Sequence, residues 1–162
     1  MVQAVVEKTA SLEPDIILDL YCGAGNFTIP LAQKFPEAQV IGVEANPVSS
    51  EAGRERGKLL QNLQLITGDT AIFLKKQTPL PTKSVAVIDP PRAGAESAVI
   101  TSLKKLGPSK ILYVSCHPAT AKRDILLFEP EYTLTRITSF DMFPQTDHVE
   151  LIAELDASPR LD

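Results

Sequence analysis

The sequence predicts an α/β fold: a seven-stranded, mostly parallel sheet that closes with a C-terminal antiparallel hairpin. Three observations carry that expectation. Apolar runs alternate with amphipathic stretches along all 162 residues. Strands alternating with helices imply a parallel sheet covered on both faces. The last two apolar runs have no helical stretch between them, and a parallel crossover needs a dozen or more residues, so they should pair antiparallel.

The elements follow in order. The chain opens on a helix that precedes the first strand. Ile16 to Leu20 reads as a buried strand and Phe27 to Phe35 as a helix. Gln39 to Val43 is the second strand, followed by a helix from about Val48 to Leu60. Leu63 to Thr67 is a short strand and Ala71 to Lys76 a short helix. Ser84 to Ile88 is the fourth strand, with a helix from about Glu96 to Leu106. Lys110 to Ser115 is the fifth, with a helix from about Ala119 to Phe128. Tyr132 to Ser139 and Val149 to Leu155 complete the set. The prolines fall mostly between elements, where their missing N–H costs little. Five βα units and a final hairpin are the layout of the Rossmann-like methyltransferase fold.

Composition sets the bounds. A chain of this length suits one domain with a full core. Apolar residues make up 44% and charged residues 22%, ordinary globular usage. No apolar run approaches the roughly 18 residues of a membrane span. Met1 to Asp15 has no basic region followed by an apolar stretch, so a cytoplasmic location is the default expectation. The two cysteines, Cys22 and Cys116, form neither a metal-ligand cluster nor a Cys-x-x-Cys pair, and no metal is expected. Net charge is −4. A dedicated RNA-binding domain is usually basic, because phosphate contacts dominate affinity. A nucleic-acid partner would therefore need its grip from another domain.

In open α/β sheets, ligands bind beyond the carboxyl ends of the strands. After the first strand, the run Asp19-Leu-Tyr-Cys-Gly-Ala-Gly-Asn-Phe27 carries Gly23 and Gly25 in a tight turn. Position 28 is Thr, where a dinucleotide fingerprint wants glycine, so an adenosylmethionine turn fits better than NAD. An ordinary βα turn is the plain alternative. Glu44 follows the second strand, roughly 20 residues after the glycine turn, where a carboxylate can accept ribose hydroxyls. Asp69 follows the third; it could accept an adenine amino group, cap the helix behind it, or do both.

After the fourth strand comes Asp89-Pro-Pro-Arg92, a stiff acidic turn. An aromatic residue in the fourth position would suit exocyclic-amine methylation, and Arg92 departs from that. After the fifth strand comes Ser115-Cys-His-Pro-Ala-Thr120. With Pro118 in the first helical turn, the helix dipole would favour a thiolate at Cys116. Mid-strand, the same cysteine would read as inert packing, and so does Cys22 within the glycine turn. The stretch from Phe140 to Glu150 is too apolar for a solvated turn and could lie over a bound base. It offers His148 as a base from its intrinsic pKa, with Glu150 at the start of the last strand, beside strand five.

Together these segments resemble the catalytic domain of the RNA uracil-C5 methyltransferase family, which makes 5-methyluridine in ribosomal and transfer RNA. The resemblance rests on Asp19 to Phe27, Asp89-Pro-Pro-Arg-Ala-Gly94, Tyr113 to Thr120 with Arg123-Asp124, and Asp141-Met-Phe-Pro-Gln-Thr146 with His148-Val-Glu150. It implies S-adenosyl-L-methionine as cofactor, held by Tyr21, Gly23, Gly25, Asn26, Glu44, Asp69 and Asp89. It implies Cys116 as nucleophile at uracil C6, Glu150 rather than His148 as base, and Asp89 close to the target base. The implied substrate is RNA, ribosomal in preference to transfer, without membrane or metal. His117 stands where the family usually has Asn. The chain is expected to be the catalytic domain alone, without the family's N-terminal RNA-binding domains. The alternatives are a methyltransferase for cytosine C5 or an exocyclic amine, and a cofactor-binding fragment without turnover.

Overall fold

The structure is a computed structural model and describes residues 1–141 and 149–159. The elements are α1 (Val2–Ala10), β1 (Ile16–Leu20), α2 (Thr28–Lys34), β2 (Gln39–Glu44), α3 (Pro47–Gly57), β3 (Leu63–Thr67) and α4 (Thr70–Lys75). They continue with β4 (Ser84–Ile88), α5 (Ser97–Leu106), β5 (Lys110–Ser115), α6 (Pro118–Leu126), β6 (Tyr132–Phe140) and β7 (Glu150–Ala157). All seven predicted strands form, and they join one seven-stranded sheet in the order β3-β2-β1-β4-β5-β7-β6. The expected antiparallel hairpin is present, and β7 lies between β5 and β6, antiparallel to both. The remaining pairings are parallel. Strand order reverses between β1 and β4, and at such a switch point the flanking loops diverge and open a crevice.

Alternating side chains along each strand feed two cores. Ile17, Val40, Val87 and Val114 point toward α1 and α2, meeting Val5, Val6, Phe27 and Leu31. Leu18, Leu20, Ile88 and Tyr113 point the other way, meeting Leu74, Val99, Leu103 and Ile125 of α4, α5 and α6. Burying such an aliphatic side chain contributes about 1.5–3 kcal/mol. The core therefore holds the central strands rigidly, and the site is built on their ends.

Helix limits differ from expectation where packing intervenes. The helix expected to reach Leu60 stops at Gly57. A Cβ at Gly57 would overlap the Leu63 side chain, so the chain turns there to start β3. The helix expected to reach Phe128 stops at Leu126. Two tighter turns follow, Leu127 N–H to Asp124 O and Phe128 N–H to Ile125 O, both 3.1 Å. They carry Phe128 into the core, edge-on to Tyr132 at 5.8 Å.

Candidate active site

The glycine turn after β1 adopts left-handed backbone at Tyr21 (φ 62°), Gly23 (55°) and Gly25 (81°). Glycine adopts that conformation freely, whereas a tyrosine there is strained. The strain is held by what surrounds it. Cys22 N–H donates to Val43 O at 3.0 Å, and Gly23 N–H donates to Glu44 Oε2 at 2.9 Å. The other Glu44 oxygen accepts from Asn46 N–H at 2.7 Å. Glu44 is the last residue of β2 rather than the first of the loop. Asn26 is exposed, and Arg56 Nη1 reaches both its Oδ1 (3.5 Å) and the Ala24 carbonyl (2.9 Å). Asp69 caps α4, accepting from Ile72 N–H at 2.7 Å, as its capping alternative required. A Cβ built on Gly23 or Gly68 would meet nothing within 4 Å, so both turns border open space.

Beneath this turn lies Asp19, fully buried. Thr28 Oγ1 donates to its Oδ2 at 2.5 Å, while Oδ1 has no partner among the described residues. Its carboxyl is raised to about 7, first by burial and further by the Asp89 and Glu44 carboxylates. The buried Tyr21 hydroxyl also lacks a hydrogen-bond partner among the described residues. Cys22 is packing, as expected: a Cβ at Gly42 would lie 2.9 Å from its Sγ, and burial pushes its thiol up to about 12.

The other half of the site comes from β4, β5 and β7. Asp89 leaves β4 into an exposed turn, yet its carboxyl is raised to about 6. Desolvation is the larger cause and the nearby Glu150 carboxylate the second. The last β5–β7 pair is Ser115 with Leu151. Cys116 and Glu150 each lie one residue beyond that pair, Cys116 where the chain bends out of β5 and Glu150 as the first residue of β7. Both are half-buried.

Pro118 opens α6, as predicted, and His117 takes the cap: its Nδ1 accepts from Thr120 N–H at 3.3 Å. The structure thus gathers Cys116, Glu150 and Asp89 at one end of the sheet, with Tyr21, Gly23, Gly25, Asn26, Glu44 and Asp69 along the same rim. His148 lies outside the described residues, as does most of the apolar stretch between β6 and β7. Surface hollows lie elsewhere. One of about 430 Å³, lined by Lys104, Gly107, Pro130, Glu131 and Tyr132, sits at the opposite end of the sheet and holds the Lys104–Glu131 ion pair. Another of about 590 Å³ lies between α1 and α2, with Glu7 and Lys34 in its lining. Among the described residues, neither is lined by a cysteine or a histidine.

Sequence reasoning assigned no role to Asp19 or Asp124. A signal existed for Asp124. It occupies a core position in the helical period of α6, with Ala121 and Ile125, where an apolar residue is expected.

Comparison with known proteins bears on the family and the fold. Residues 79–156 match the family described as tRNA (Uracil-5-)-methyltransferase. Over these residues the chain is similar to the RNA uracil-C5 methyltransferase family. Residues 17–89 match a general methyltransferase domain. An uncharacterized RNA methyltransferase of Bdellovibrio bacteriovorus is 42% identical over 86% of this chain and 37% of its own length. The 23S rRNA (uracil(1939)-C(5))-methyltransferase RlmD of Shewanella piezotolerans is 40% identical over 94% of this chain and 34% of its own. The tRNA (uracil-54, C5)-methyltransferase of Pyrococcus abyssi, solved with S-adenosyl-L-homocysteine, superposes with a TM-score of 0.78. It is 32% identical, over 95% of this chain and 38% of that one. The chain therefore spans little more than a third of the length of the relatives it matches. The fold is the Rossmann-like fold of S-adenosylmethionine-dependent methyltransferases. Among the described residues, no helix is long and apolar enough to cross a membrane.

Proposed function

We propose that this chain methylates uracil C5 in RNA, with S-adenosyl-L-methionine as methyl donor and Cys116 as covalent nucleophile. One observation carries the reading: Cys116 and Glu150 each lie one residue beyond the Ser115–Leu151 pair that ends the β5–β7 ladder, with Asp89 close enough to feel the Glu150 charge.

The residues present fit the cofactor. Open space borders Gly23 and Gly68, and the buried Asp19 Oδ1 and Tyr21 hydroxyl have bonding capacity to spare among the described residues. Tyr21, Gly23, Gly25, Asn26, Glu44, Asp69 and Asp89 would hold it. A rim of carboxylates suits a ligand that carries a sulfonium and an ammonium. When bound, S-adenosylmethionine supplies a methyl group made electrophilic by positive sulfur.

Uracil C5 is a poor nucleophile until C6 is attacked. Cys116 Sγ, at the N-terminus of α6, adds to C6 and moves the C5=C6 electron pair onto C5. C5 then takes the methyl group. Glu150 removes the C5 proton, the C5=C6 bond re-forms, and the C6–S bond breaks to return the thiolate. One hard step becomes several easier ones. A carboxylate suffices as base because the adjacent carbonyl acidifies that proton. Asp89 stands beside Glu150, placed to hold the base. The base must leave any stack to reach this mouth.

Ribosomal RNA is the favoured substrate, since identity to the 23S rRNA enzyme (40%) exceeds that to the tRNA enzyme (32%). Arg92, in the turn after β4, and Lys122, on α6, are both exposed cations. With a net charge of −4, the chain acts as a single catalytic domain over residues 1–162, and further RNA-binding parts supply most of the grip. Two free cysteines, one of them the nucleophile, fit the reducing cytoplasm.

The test is RNA carrying 5-fluorouridine, whose fluorine cannot leave as the proton does and so traps the adduct. A covalent complex that needs the cofactor and disappears in Cys116→Ala is expected. Cofactor binding without any adduct would sink the reading. Transfer to cytidine oligonucleotides instead would redirect it to cytosine.

A further inference from the structure

We propose that Asp124 is a positioning residue that staples the Asp89–Gly94 turn to helix α6, and so sets where Asp89 stands relative to Cys116. This rests on the functional reading above.

Asp124 is fully buried on the inner side of α6. Its Oδ2 accepts from Ala95 N–H at 2.7 Å and from the Tyr113 hydroxyl at 2.6 Å. Its Oδ1 accepts from Arg123 Nε at 2.8 Å and pairs with Nη2 at 2.6 Å. The same Arg123 Nη2 donates to the Ala93 carbonyl at 2.9 Å. Higher on the helix, Thr120 Oγ1 donates to the Arg92 carbonyl at 3.3 Å. Three backbone groups within four residues, Arg92 O, Ala93 O and Ala95 N–H, are thereby tied to one turn and a half of α6. Tyr113 ties the same carboxylate to β5.

Packing closes what the hydrogen bonds join. Gly94 has φ 92°, and a Cβ there would collide with Arg123 Nη2, Asp124 Oδ2 and Thr120 Cγ2 at once. The turn is pressed onto the helix as closely as a glycine permits. A buried carboxylate is a poor source of stability compared with a well-packed apolar group of its size. What it adds here is direction: four donors on three elements must converge on two oxygens. Both oxygens are committed to donors inside the protein, so Asp124 is not the proton carrier. Asp89 begins the stapled turn and Cys116 directly precedes the stapled helix, so the staple spans the two sides of the mouth. The pairing also explains why Gly94 and Arg123-Asp124, far apart in sequence, occur in one chain.

The test uses Tyr113→Phe, Gly94→Ala and Asp124→Asn in the full chain. Tyr113→Phe removes one donor and almost no volume, and Gly94→Ala removes no polar group. The expected result is folded protein with unchanged KM for RNA, and an affinity for S-adenosylhomocysteine that falls far less than the adduct rate. The rate of adduct formation with 5-fluorouridine RNA should fall by up to about 100-fold, the scale of a misplacement near 1 Å. Hydrogen exchange should rise together in 93–95 and 117–124, and stay unchanged in the glycine turn at 21–26. Wild-type adduct rates in folded variants would overturn the proposal. So would rates that fall only in proportion to lost fold or lost cofactor binding. If the wild-type chain forms no adduct at all, the functional reading fails. The staple is then judged by exchange alone, and a rise in α6 without one in the turn overturns it.

Discussion

The two halves of the strand-end rim are built differently. On the β1–β2–β3 side the carboxylates are already engaged with their own backbone. Glu44 holds the amides of Gly23 and Asn46, and Asp69 holds that of Ile72. On the β4–β5–β7 side, Asp89, Cys116 and Glu150 make no side-chain hydrogen bond among the described residues, and the scaffold behind them carries the order instead. On the proposed reading the first half is a preformed seat, and the second leaves Cys116 and Glu150 available for chemistry while the β5–β7 ladder and the Asp124 contacts supply rigidity. A binding site gains from satisfied groups, because little must be ordered on association. A nucleophile and a base, in contrast, must stay unspent until the substrate comes.

That contrast can be broken by mutation. The largest effect is expected from Cys116→Ala, which should abolish the 5-fluorouridine adduct while leaving cofactor affinity and Tm unchanged. Loss of cofactor affinity in the same variant would mean the halves are not separate. Glu150→Gln comes next. Methyl transfer can proceed but proton removal cannot, so turnover should fall by about 10²- to 10⁴-fold while a covalent RNA complex accumulates. A gel shift resistant to denaturation reads this directly, and a variant that turns over normally assigns the base elsewhere. Glu44→Ala, on the seat side, should weaken S-adenosylhomocysteine binding by about 10- to 100-fold in calorimetry. It removes a charged acceptor from two amides, each such bond contributing about 1.5–3 kcal/mol, in addition to any ligand contact. Its adduct rate at saturating cofactor should stay close to wild type.

The smallest effect concerns stability and comes from Asp19, beneath the seat. Above about pH 4 the unfolded chain releases this proton, while the folded protein keeps it until about pH 7. Across that window the folded state binds more protons, so its stability falls as pH rises. Asp19→Asn should therefore raise Tm by a few degrees at pH 8 and leave it unchanged near pH 4, read by thermal melts across pH. A benefit of equal size at both pH values would contradict the assigned charge. Cofactor, being cationic, should reduce the difference at pH 8.

Much of this was legible in the sequence because strand ends are local. Gly23-Ala-Gly25, Asp89-Pro-Pro-Arg92 and Cys116-His-Pro118 each announce a turn by composition, and each apolar run before them announces its strand. The two cysteines could be separated by position alone, and the structure keeps that separation: Cys22 is buried and Cys116 half-exposed. Asp69 left two roles open, since a carboxylate before a helix looks the same whether it caps or binds. Asp19 was silent, because burial of a carboxylate depends on what folds over it, and Asp124 showed only as a charge at an apolar position of the α6 period.

The seven strands, the glycine turn, the acidic strand ends and the cysteine two residues before Pro118 can all be read from local sequence. Hydrophobic period and turn chemistry are encoded within a few residues of where they act. The meeting of the β5 and β7 ends, which leaves Cys116 and Glu150 one residue beyond the Ser115–Leu151 pair, and the packing of Gly94 against Arg123 and Asp124 came with the assembled fold. Those are contacts between elements, fixed by strand order and register. Register follows from burying the whole sheet at once rather than from any one segment.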